Sequence, residues 1–495
     1  MRDLAAGAAR VQAVTLSETL AQAPAVRAAR EALADRDDAW IVGGAIRDAE
    51  LGREVIDADV AVGSDERGTA RAIAAVAGGP AFELSEEFGT WRALSGDRSW
   101  HVDVTRLRGP DIESDLARRD FTVNAIAVPL ADPAGEPVDP HGGRADLARR
   151  LLRAVSKRSF ADDPLRILRA ARLAAGLGLQ LEPETIELAR REATRAGEPA
   201  GERQLAELRL LIASPDPIRG VEVLDDLAAT AALLPELEAL RGVVQNPNHH
   251  LDVHGHTLEV LRNLIEIECD LNRYAGDAAD GVRALLAEPL ADEFDRAAAL
   301  RLGALLHDVG KPATRREHDG GFVSFIGHDR TGAELVRGVC ERWNASRGLS
   351  RHLEALTLHH LHLGFMAAER PLPRRRLYEY LRLTEPVAAD VTLLTVADRL
   401  SARGTGPTAA PEMIEAHLEL AREVLPAALE WHRDGPPRPP IAGDELAAAL
   451  GIEPGPMLGR LLEEVRKGVY AGDVNSADDA VAVARAALEE GEGAA

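Results

Sequence analysis

Residues 40–62 read WIVGGAIRDAELGREVIDADVAV, and this stretch decides the fold of the first part of the chain. The short apolar run WIV stops at two glycines, which predicts a buried strand followed by a turn. A strand over residues 55–62 would place Asp57 and Asp59 on one face, because side chains alternate along a strand. Two neighbouring carboxylates repel each other unless a divalent cation neutralises them. The stretch therefore predicts a metal site on a small sheet; a solvated, charged strand is the alternative.

The glycines and the arginine that follows them suit an anion. Gly43 and Gly44 lack Cβ atoms, so a phosphate could approach the backbone closely and accept from its N–H groups. Arg47 falls one turn into a predicted helix and offers a planar cation to the same anion. The motif GG-x-x-RD is weak by itself, because glycine-rich turns also occur on surfaces. Combined with D-x-D, it favours a nucleoside triphosphate that brings Mg²⁺.

The composition is that of an ordinary globular protein with room for several domains. The chain has 495 residues, of which 46% are hydrophobic and 28% charged. Its formal net charge of −23 argues against a general coat of nucleic acid and makes any binding of a polyanion local. No apolar run is long enough for a membrane span, and the two distant cysteines, Cys269 and Cys340, indicate a reducing compartment. We therefore expect a cytoplasmic protein.

Changes in residue pattern divide the chain into five expected regions. Asp103, on a further predicted strand, either completes a set of three carboxylates with the D-x-D pair or is an ordinary exposed aspartate. Nine basic and three acidic residues lie between positions 144 and 172, a local excess that favours RNA. The regions are an N-terminal helical segment (1–38), a mixed head (39–143), a helical neck (144–245), a histidine-rich helical block (246–405) and a C-terminal helical region (406–495).

Five motifs follow one another between residues 40 and 208. They are GG-x-x-RD, D-x-D, RRDFTVNA, DDPLRILRAARLAA and ER-x-x-x-EL. In this order they resemble the bacterial tRNA nucleotidyltransferase and poly(A) polymerase family. The resemblance implies an α+β fold in which a polymerase-β-type nucleotidyltransferase head is followed by a helical neck. It also implies the reaction, in which an RNA 3′-hydroxyl attacks the α-phosphorus of a nucleoside triphosphate and pyrophosphate leaves.

The resemblance implies roles for individual residues. Asp57 and Asp59, with Asp103, would hold two Mg²⁺ ions, one activating the hydroxyl and the other neutralising the triphosphate. Arg119 resembles the family arginine that helps to hold the nucleotide; the alternative is a structural ion pair with Asp120. The residues expected to bind the nucleotide are Gly43, Gly44, Arg47, Arg119, Asp163, Arg166, Arg169 and Arg172.

Asp163 and Arg166 suggest how bases are chosen. Cytosine and adenine both carry an exocyclic amine beside an unprotonated ring nitrogen, so an Asp can accept from the amine while an Arg donates to the nitrogen. Uracil and guanine present the reverse pattern. The family motif E-D-x-x-R occurs here with Asp162 in the place of Glu, a mild departure. Without the upstream motifs, the same residues would be interpreted as the acidic start of a helix with surface arginines.

The histidine-rich block resembles an HD domain, a metal-dependent phosphohydrolase fold. The resemblance rests on HGHTLEVL, LLHDVGKP and TVADRLS. Such ligands suit Mn²⁺, Ni²⁺, Fe²⁺ or Mg²⁺, whereas a lone histidine in a core is usually only buried. The implied ligands are His256, His307, Asp308 and Asp398, with His328 and either His359 or His360 for a second metal.

Taken together, the motifs imply an enzyme that adds C and A nucleotides to the 3′ end of tRNA from CTP and ATP, with no role for a membrane. Three related products remain open: A alone, CC alone, or poly(A). A phosphohydrolase whose head merely binds nucleotide or RNA is the alternative from another class, and the intact D-x-D argues against it.

Overall fold

The computed structural model describes residues 15–85 and 89–492, and it confirms the expected α+β class. The chain divides into two compact units. The first holds the residues up to 199 together with 215–229, and the second holds 200–214 together with the residues from 230 onward. Among the described residues, we find no helix with the length and apolar character needed to cross a bilayer.

A six-stranded mixed sheet organises the first unit. The strand order is β3-β4-β5-β2-β1-β6; β2 and β5 pair in parallel, and the other neighbours are antiparallel. Ile41, Val60 and Val104 on the central strands are fully buried, so the core of the head lies along β1, β2 and β5. The strands are β1 (Ala39–Val42), β2 (Ala58–Val62), β3 (Ala81–Ser85), β4 (Thr90–Leu94), β5 (His101–Arg106) and β6 (Ala127–Pro129).

Helices pack on this sheet and continue beyond it. Helices α2 and α4 contact β5, and α4 also contacts β3 and β4, whereas α3 contacts β1 and β2. The expected N-terminal helical segment is represented by α1 and α2; residues 1–14 lie outside the described residues. The first helices are α1 (Leu16–Gln22), α2 (Pro24–Ala32), α3 (Gly44–Glu50), α4 (Glu66–Ala77), α5 (Ile112–Leu116) and α6 (Gly143–Ala148).

The segment after the sheet is helical, with one short parallel pair of strands. Helix α8 is amphipathic, and it ends where Gly178 takes a positive φ of 64°. Helices α8 and α11 pack together in the first unit, while α10 belongs to the second unit. The elements are β7 (Leu151–Leu152), α7 (Ser159–Asp162), α8 (Leu165–Leu177), β8 (Gln180–Leu181), α9 (Pro183–Glu192), α10 (Gly201–Ile212) and α11 (Pro217–Asp226).

The second unit is built mainly from helices. Helix α14 packs on α17 and α23, and α17 also packs on α20, so four helices surround the histidine-rich core. Two short hairpins, β9–β10 and β11–β12, interrupt the helices. The elements are α12 (Thr230–Leu233), α13 (Pro235–Glu238), α14 (Val253–Cys269), α15 (Leu271–Ala275), α16 (Ala279–Leu286), β9 (Pro289–Ala291), β10 (Phe294–Asp295), α17 (Arg296–Leu306), α18 (Lys311–Thr314), β11 (Arg316–Glu317), β12 (Val323–Ser324), α19 (His328–Arg342), α20 (Arg347–His359), α21 (His362–Met366), α22 (Arg374–Leu383) and α23 (Ala388–Ser401).

The C-terminal region has a small core of its own. Leu446, Leu461 and Val465 are buried there, and helix α26 also packs on α22. The last helices are α24 (Pro411–Asp434), α25 (Gly443–Leu450), α26 (Pro456–Ala471) and α27 (Ala477–Glu492).

Candidate active site and metal centre

Asp59 and Asp103 share one face of the sheet, and Asp57 lies just before the strand that carries Asp59. Asp59 on β2 is the direct register partner of Asp103 on β5, so the two side chains share a face. The strand predicted over 55–62 is shorter than expected and begins at residue 58. Asp57 lies just before it, where its Oδ1 accepts from the backbone N–H of His101 at 2.9 Å and lies 2.8 Å from the imidazole Nδ1.

The charges around these carboxylates leave Asp59 poorly neutralised. Burial raises the pKa of Asp59, and the charge of Asp103 raises it further, although Arg119 acts in the opposite direction. Asp103 itself accepts two hydrogen bonds from the guanidinium of Arg92, at 2.7 and 2.8 Å. The hydrogen bond to Asp57 raises the pKa of His101. Carboxylate oxygens that repel one another are what Mg²⁺ prefers as ligands, so the residues present fit the expected ions.

Gly43 lies where Arg119 approaches the carboxylate of Asp59. A Cβ at this position would lie 2.9 Å from Nη1 of Arg119 and 3.3 Å from Oδ2 of Asp59. The N–H of Gly43 donates to the carbonyl of Ile126, so it does not face a ligand as the sequence suggested. Gly44 lines a cleft of about 300 Å³ that reaches Asp59. Gly43 therefore leaves room for the guanidinium of Arg119 and the carboxylate of Asp59.

Two arginines are fixed beside this cleft. Arg47 donates to Oδ1 of Asn124 at 2.8 Å and also pairs with the adjacent Asp48. Arg119 pairs with the buried carboxylate of Asp115 at 3.0 Å, and not with Asp120 as the structural alternative proposed. Each arginine is thus held in one orientation by a neighbouring side chain. The remaining N–H groups of its guanidinium could bind an anion.

Replacing Gly43 with alanine should lower both stability and activity. Its φ of 72° and ψ of −127° are accessible almost only to glycine, so the substitution should cost roughly 1–3 kcal/mol in the free energy of unfolding. It should also push Arg119 away from Asp59 and slow nucleotide incorporation. Gly52→Ala is the matched control, because Gly52 has a φ of 67° with no heavy atom near its Cβ position. Urea unfolding and initial rates test the pair; full activity in Gly43→Ala would contradict the assignment.

Asp163 and Arg166 stand at the junction between two helices. Asp163 is extended and lies before α8, so the pair is not on one helical face as predicted; its Oδ1 accepts from the N–H of Leu165 at 3.1 Å. Arg166 donates to the carbonyls of Arg118 at 2.8 Å and Ser159 at 3.1 Å. Burial lowers the pKa of Arg166. The backbone contacts fix the direction of its guanidinium.

The arginines further along α8 have different surroundings. Arg169 pairs with the buried Asp120 at 2.9 Å, and Asp120 also accepts from the amide of Asn124 at 3.0 Å. Because Asn124 also accepts from Arg47, this network links α8 to Arg47. Arg172 is half-buried one turn later on the same helix.

The HD residues converge as the motifs predicted. His256 on α14 lies 2.9 Å from Oδ1 of Asp398 on α23, measured from its Nε2. His307 and Asp308 directly follow α17, and their Nε2 and Oδ2 atoms are 3.2 Å apart. The Nε2 of His256 is also 3.7 Å from Oδ2 of Asp308. Both histidine Nε2 atoms are buried without a well-directed hydrogen bond, which fits a metal ion at this point.

A second group of donors shares Asp308. Its Oδ1 lies 3.4 Å from Nε2 of His328 and 3.8 Å from Nε2 of His360. Of the two alternatives from the sequence, His360 therefore occupies this position, whereas the ring of His359 contacts His362 instead. Burial lowers the pKa of His360 to about 3, which keeps the imidazole neutral as a metal ligand must be.

Backbone carbonyls orient these imidazoles. Nδ1 of His307 lies 2.8 Å from the carbonyl of Ala304, and Nδ1 of His328 lies 2.7 Å from that of Phe325. Such contacts fix the tautomer and would leave Nε2 available to a bound metal. The donor set of imidazoles and carboxylates fits a divalent transition metal or Mg²⁺.

Sequence reasoning missed several residues at both sites. His101 could have been found, because it stands two positions before Asp103 and must share its strand face. Arg92 could not, because its contact depends on the pairing of β4 with β5. In the HD centre, Nζ of Lys311 lies 2.6 Å from Oδ2 of Asp308, and His249 packs edge-on against His256. Lys311 was visible in the motif HD-x-G-K.

Comparisons with known proteins agree with this geometry. The family described as the poly A polymerase head domain matches residues 39–153, the probable RNA and SrmB-binding site of polymerase A matches 178–240, and the HD domain matches 253–403. These matches define a nucleotidyltransferase head with a neighbouring HD domain, and they confirm both resemblances.

Similar proteins extend the match over nearly the whole chain. An A-adding tRNA nucleotidyltransferase of Deinococcus radiodurans is 37% identical over 91% of this chain and 96% of its own length. A CC-adding tRNA nucleotidyltransferase of Thermus thermophilus is 32% identical over 90% and 92%. A solved structure of the Thermotoga maritima CCA-adding enzyme complexed with tRNA shares the fold, with a TM-score of 0.57 and 21% identity over 96% of this chain and 98% of that one. The chain belongs to the tRNA nucleotidyltransferase family and is an enzyme of that family.

Proposed function

We propose that this enzyme adds C and A nucleotides, as CCA, to the 3′ end of tRNA from CTP and ATP without a nucleic-acid template. One observation carries the proposal. Two adjacent residues connect the proposed base-selecting pair, Asp163 and Arg166, with the carboxylates. The carbonyl of Arg118 accepts a hydrogen bond from Arg166. The guanidinium of Arg119 lies beside Gly43 and Asp59. A nucleotide held by Arg119 at its phosphates would therefore present its base toward α8.

The residues can be assigned to steps of one reaction. A bond forms between the acceptor's 3′-oxygen and the α-phosphorus, and the bond between the α-phosphorus and the oxygen that bridges to the β-phosphate breaks. Pyrophosphate leaves with that oxygen, and the hydroxyl proton passes to solvent water. Asp57, Asp59 and Asp103 would hold Mg²⁺, which supplies neutralisation of the triphosphate and lowers the pKa of the hydroxyl. Arg47 and Arg119 oppose the charge that accumulates on the leaving pyrophosphate.

Asp163 and Arg166 would select the base. A carboxylate that accepts from an exocyclic amine and a guanidinium that donates to a ring nitrogen match cytosine and adenine alike. The contacts of Arg166 with backbone carbonyls fix its direction. Its guanidinium has no acceptor atom, so it cannot accept from the ring N–H of uracil or guanine. Selection of this kind needs no template strand.

Addition of A alone is a second candidate product. It is favoured by the match to the A-adding relative, which spans nearly the whole chain. The Asp163–Arg166 pair would serve either product, since it accepts both bases.

Three acceptors distinguish the products. tRNA transcripts that end at the discriminator base, at C or at CC are incubated with CTP alone, ATP alone or both, and the product ends are sequenced. CCA addition predicts extension of all three to CCA when both nucleotides are present. Extension of the CC-ending transcript only, by one A, would replace this proposal with the second candidate.

We further propose that the HD centre hydrolyses phosphoesters, 2′,3′-cyclic ends among them. This proposal is supported by the shared carboxylate Asp308 and by a cavity of about 440 Å³ beside it, lined in part by His249 and Lys311. The imidazoles and carboxylates would hold the metal, and Lys311 offers a cation to the phosphate.

Replacing both His307 and Asp308 with alanine should separate the two activities. Hydrolysis of a 2′,3′-cyclic nucleotide with added Ni²⁺ or Mn²⁺ should fall by at least about 100-fold, because two metal ligands are lost. AMP incorporation on a minimal tRNA acceptor stem should stay within twofold. His432→Ala is the control, since this histidine pairs with Glu288 away from the centre. Loss of AMP incorporation in a double variant that melts like the wild type would show that the two sites act as one.

A further inference from the structure

A row of paired residues crosses the head sheet from the carboxylates to its edge. Asp59 pairs with Asp103, Asp103 with Arg92, and Arg92 with Phe82 on the edge strand β3. Directly opposed residues on neighbouring strands point to the same face of a sheet. The four side chains therefore lie in one line on one face.

The neighbouring residues show which face this is. Trp91 precedes Arg92 on β4 and points to the other side, where Arg67 and Arg71 of α4 lie over its ring at 5.3 and 6.0 Å. Arg92 and Phe82 consequently face away from α4. Phe82 is 42% exposed there.

The triphosphate is expected at the Asp59 end of the row, opposite Phe82. Gly43 follows β1, which pairs with β2 on the side away from β5, and Arg119 approaches Asp59 from there. If an incoming nucleotide is held at that end, the attacking hydroxyl has to approach from the side of Asp103. The acceptor must then continue over β4 and β3, where Arg92 and Phe82 stand.

We propose that Arg92 and Phe82 form a platform for the last two nucleotides of the single-stranded RNA acceptor, with a base stacked on Phe82. The inference rests on the proposed nucleotidyl transfer. Two strand spacings separate Asp103 from Phe82, about 10 Å, which the terminal nucleotides can span. Exposed aromatic rings beside a guanidinium bind unpaired bases irrespective of sequence, which suits an acceptor whose end changes as it grows. Arg92 is held in place by Asp103, and its strand position is directly opposite that of Phe82.

Phe82→Ala tests the platform, because Arg92 also contacts a carboxylate of the reaction and its loss would be ambiguous. KM for a tRNA that ends in CC, whose last nucleotides are unpaired, should rise roughly 10-fold, with KM for ATP unchanged. Phe82→Tyr should restore the wild-type value. Val76→Ala is the matched control, an exposed apolar residue of α4 that should leave KM for tRNA unchanged.

Equilibrium binding separates this inference from the reaction itself. The affinity of the same labelled tRNA is measured by gel shift without nucleotide or metal, where Phe82→Ala should weaken binding by a similar factor. Wild-type enzyme that binds tRNA but incorporates nothing would refute the proposed function and leave the binding comparison valid. Affinity and KM for tRNA within twofold of the wild type in Phe82→Ala, or an equal rise in KM for ATP, would overturn the platform.

Discussion

Replacing Asp59 with asparagine should reduce nucleotide addition by at least about 10³-fold, because the variant loses a charge that the reaction requires at the centre of the site. The side chain keeps its shape, so the sheet should form normally. Asp59 stands at the end of the row of paired residues that lies opposite Phe82. It faces Asp103 on one side and the space beside Gly43 on the other.

The same substitution should not destabilise the protein. Burial and Asp103 raise the pKa of Asp59 above its ordinary value. A carboxyl group whose folded pKa is raised lowers stability once the pH exceeds its unfolded pKa, and this loss is complete above the folded pKa. Without metal at pH 7, Asp59→Asn should therefore melt at or above the wild-type temperature. Asp37→Asn, in the exposed turn before β1, is the control for activity. Wild-type turnover by Asp59→Asn at saturating Mg²⁺ would contradict the role of this residue.

Replacing Asp163 and Arg166 together with alanine should remove discrimination between nucleotides. A site built to hydrogen-bond a group rejects substrates without it by about 10⁴-fold in favourable cases, so the preference for CTP and ATP over UTP and GTP should largely disappear. The rate of correct addition should fall as well. Competition assays with all four triphosphates measure the preference directly.

Asp163→Asn distinguishes base reading from folding. The double variant should melt at a lower temperature, because Arg166 binds the carbonyls of Arg118 and Ser159. The asparagine side chain in Asp163→Asn would keep an oxygen near the N–H of Leu165. Its amide N–H group could donate to the carbonyl oxygen of uracil or guanine. We expect this variant to incorporate UTP or GTP at a measurable rate with wild-type stability. If both variants still ignore UTP and GTP, the pair does not read the base.

The sequence predicts features that depend on neighbouring residues better than features that depend on the pairing of distant strands. The period of two predicted Asp57 and Asp59 on one strand, but β2 begins at residue 58, and Asp57 instead contacts His101 just before it. The place of Asp103 depends on the parallel pairing of β2 with β5, which lie some 40 residues apart in the chain. Its role therefore remained an alternative until the sheet was known. Arg92 and Phe82 depend on two further pairings and gave no signal of their own.

The sequence could not show which of two adjacent residues enters a site, because this depends on where each side chain points around its helix. His359 and His360 differ by about 100° around α20, and only His360 points at Asp308. Likewise, Arg119 lies four residues after Asp115 and pairs with it, which leaves Asp120 to Arg169. The motifs identified the right neighbourhoods, but the exact end of each short helix decided which side chain entered the site.

The sequences that the wild-type enzyme builds on two tRNA acceptors report its choice of nucleotides. Purified wild-type enzyme is incubated with Mg²⁺, a tRNA lacking its 3′ CCA, a tRNA ending in CC, and all four nucleoside triphosphates at equal concentration, and the product ends are sequenced. The account predicts that C and A are the only nucleotides added, in the order CCA on the first acceptor and as a single A on the second. Frequent U or G at the new ends, or no extension of either acceptor, would contradict it.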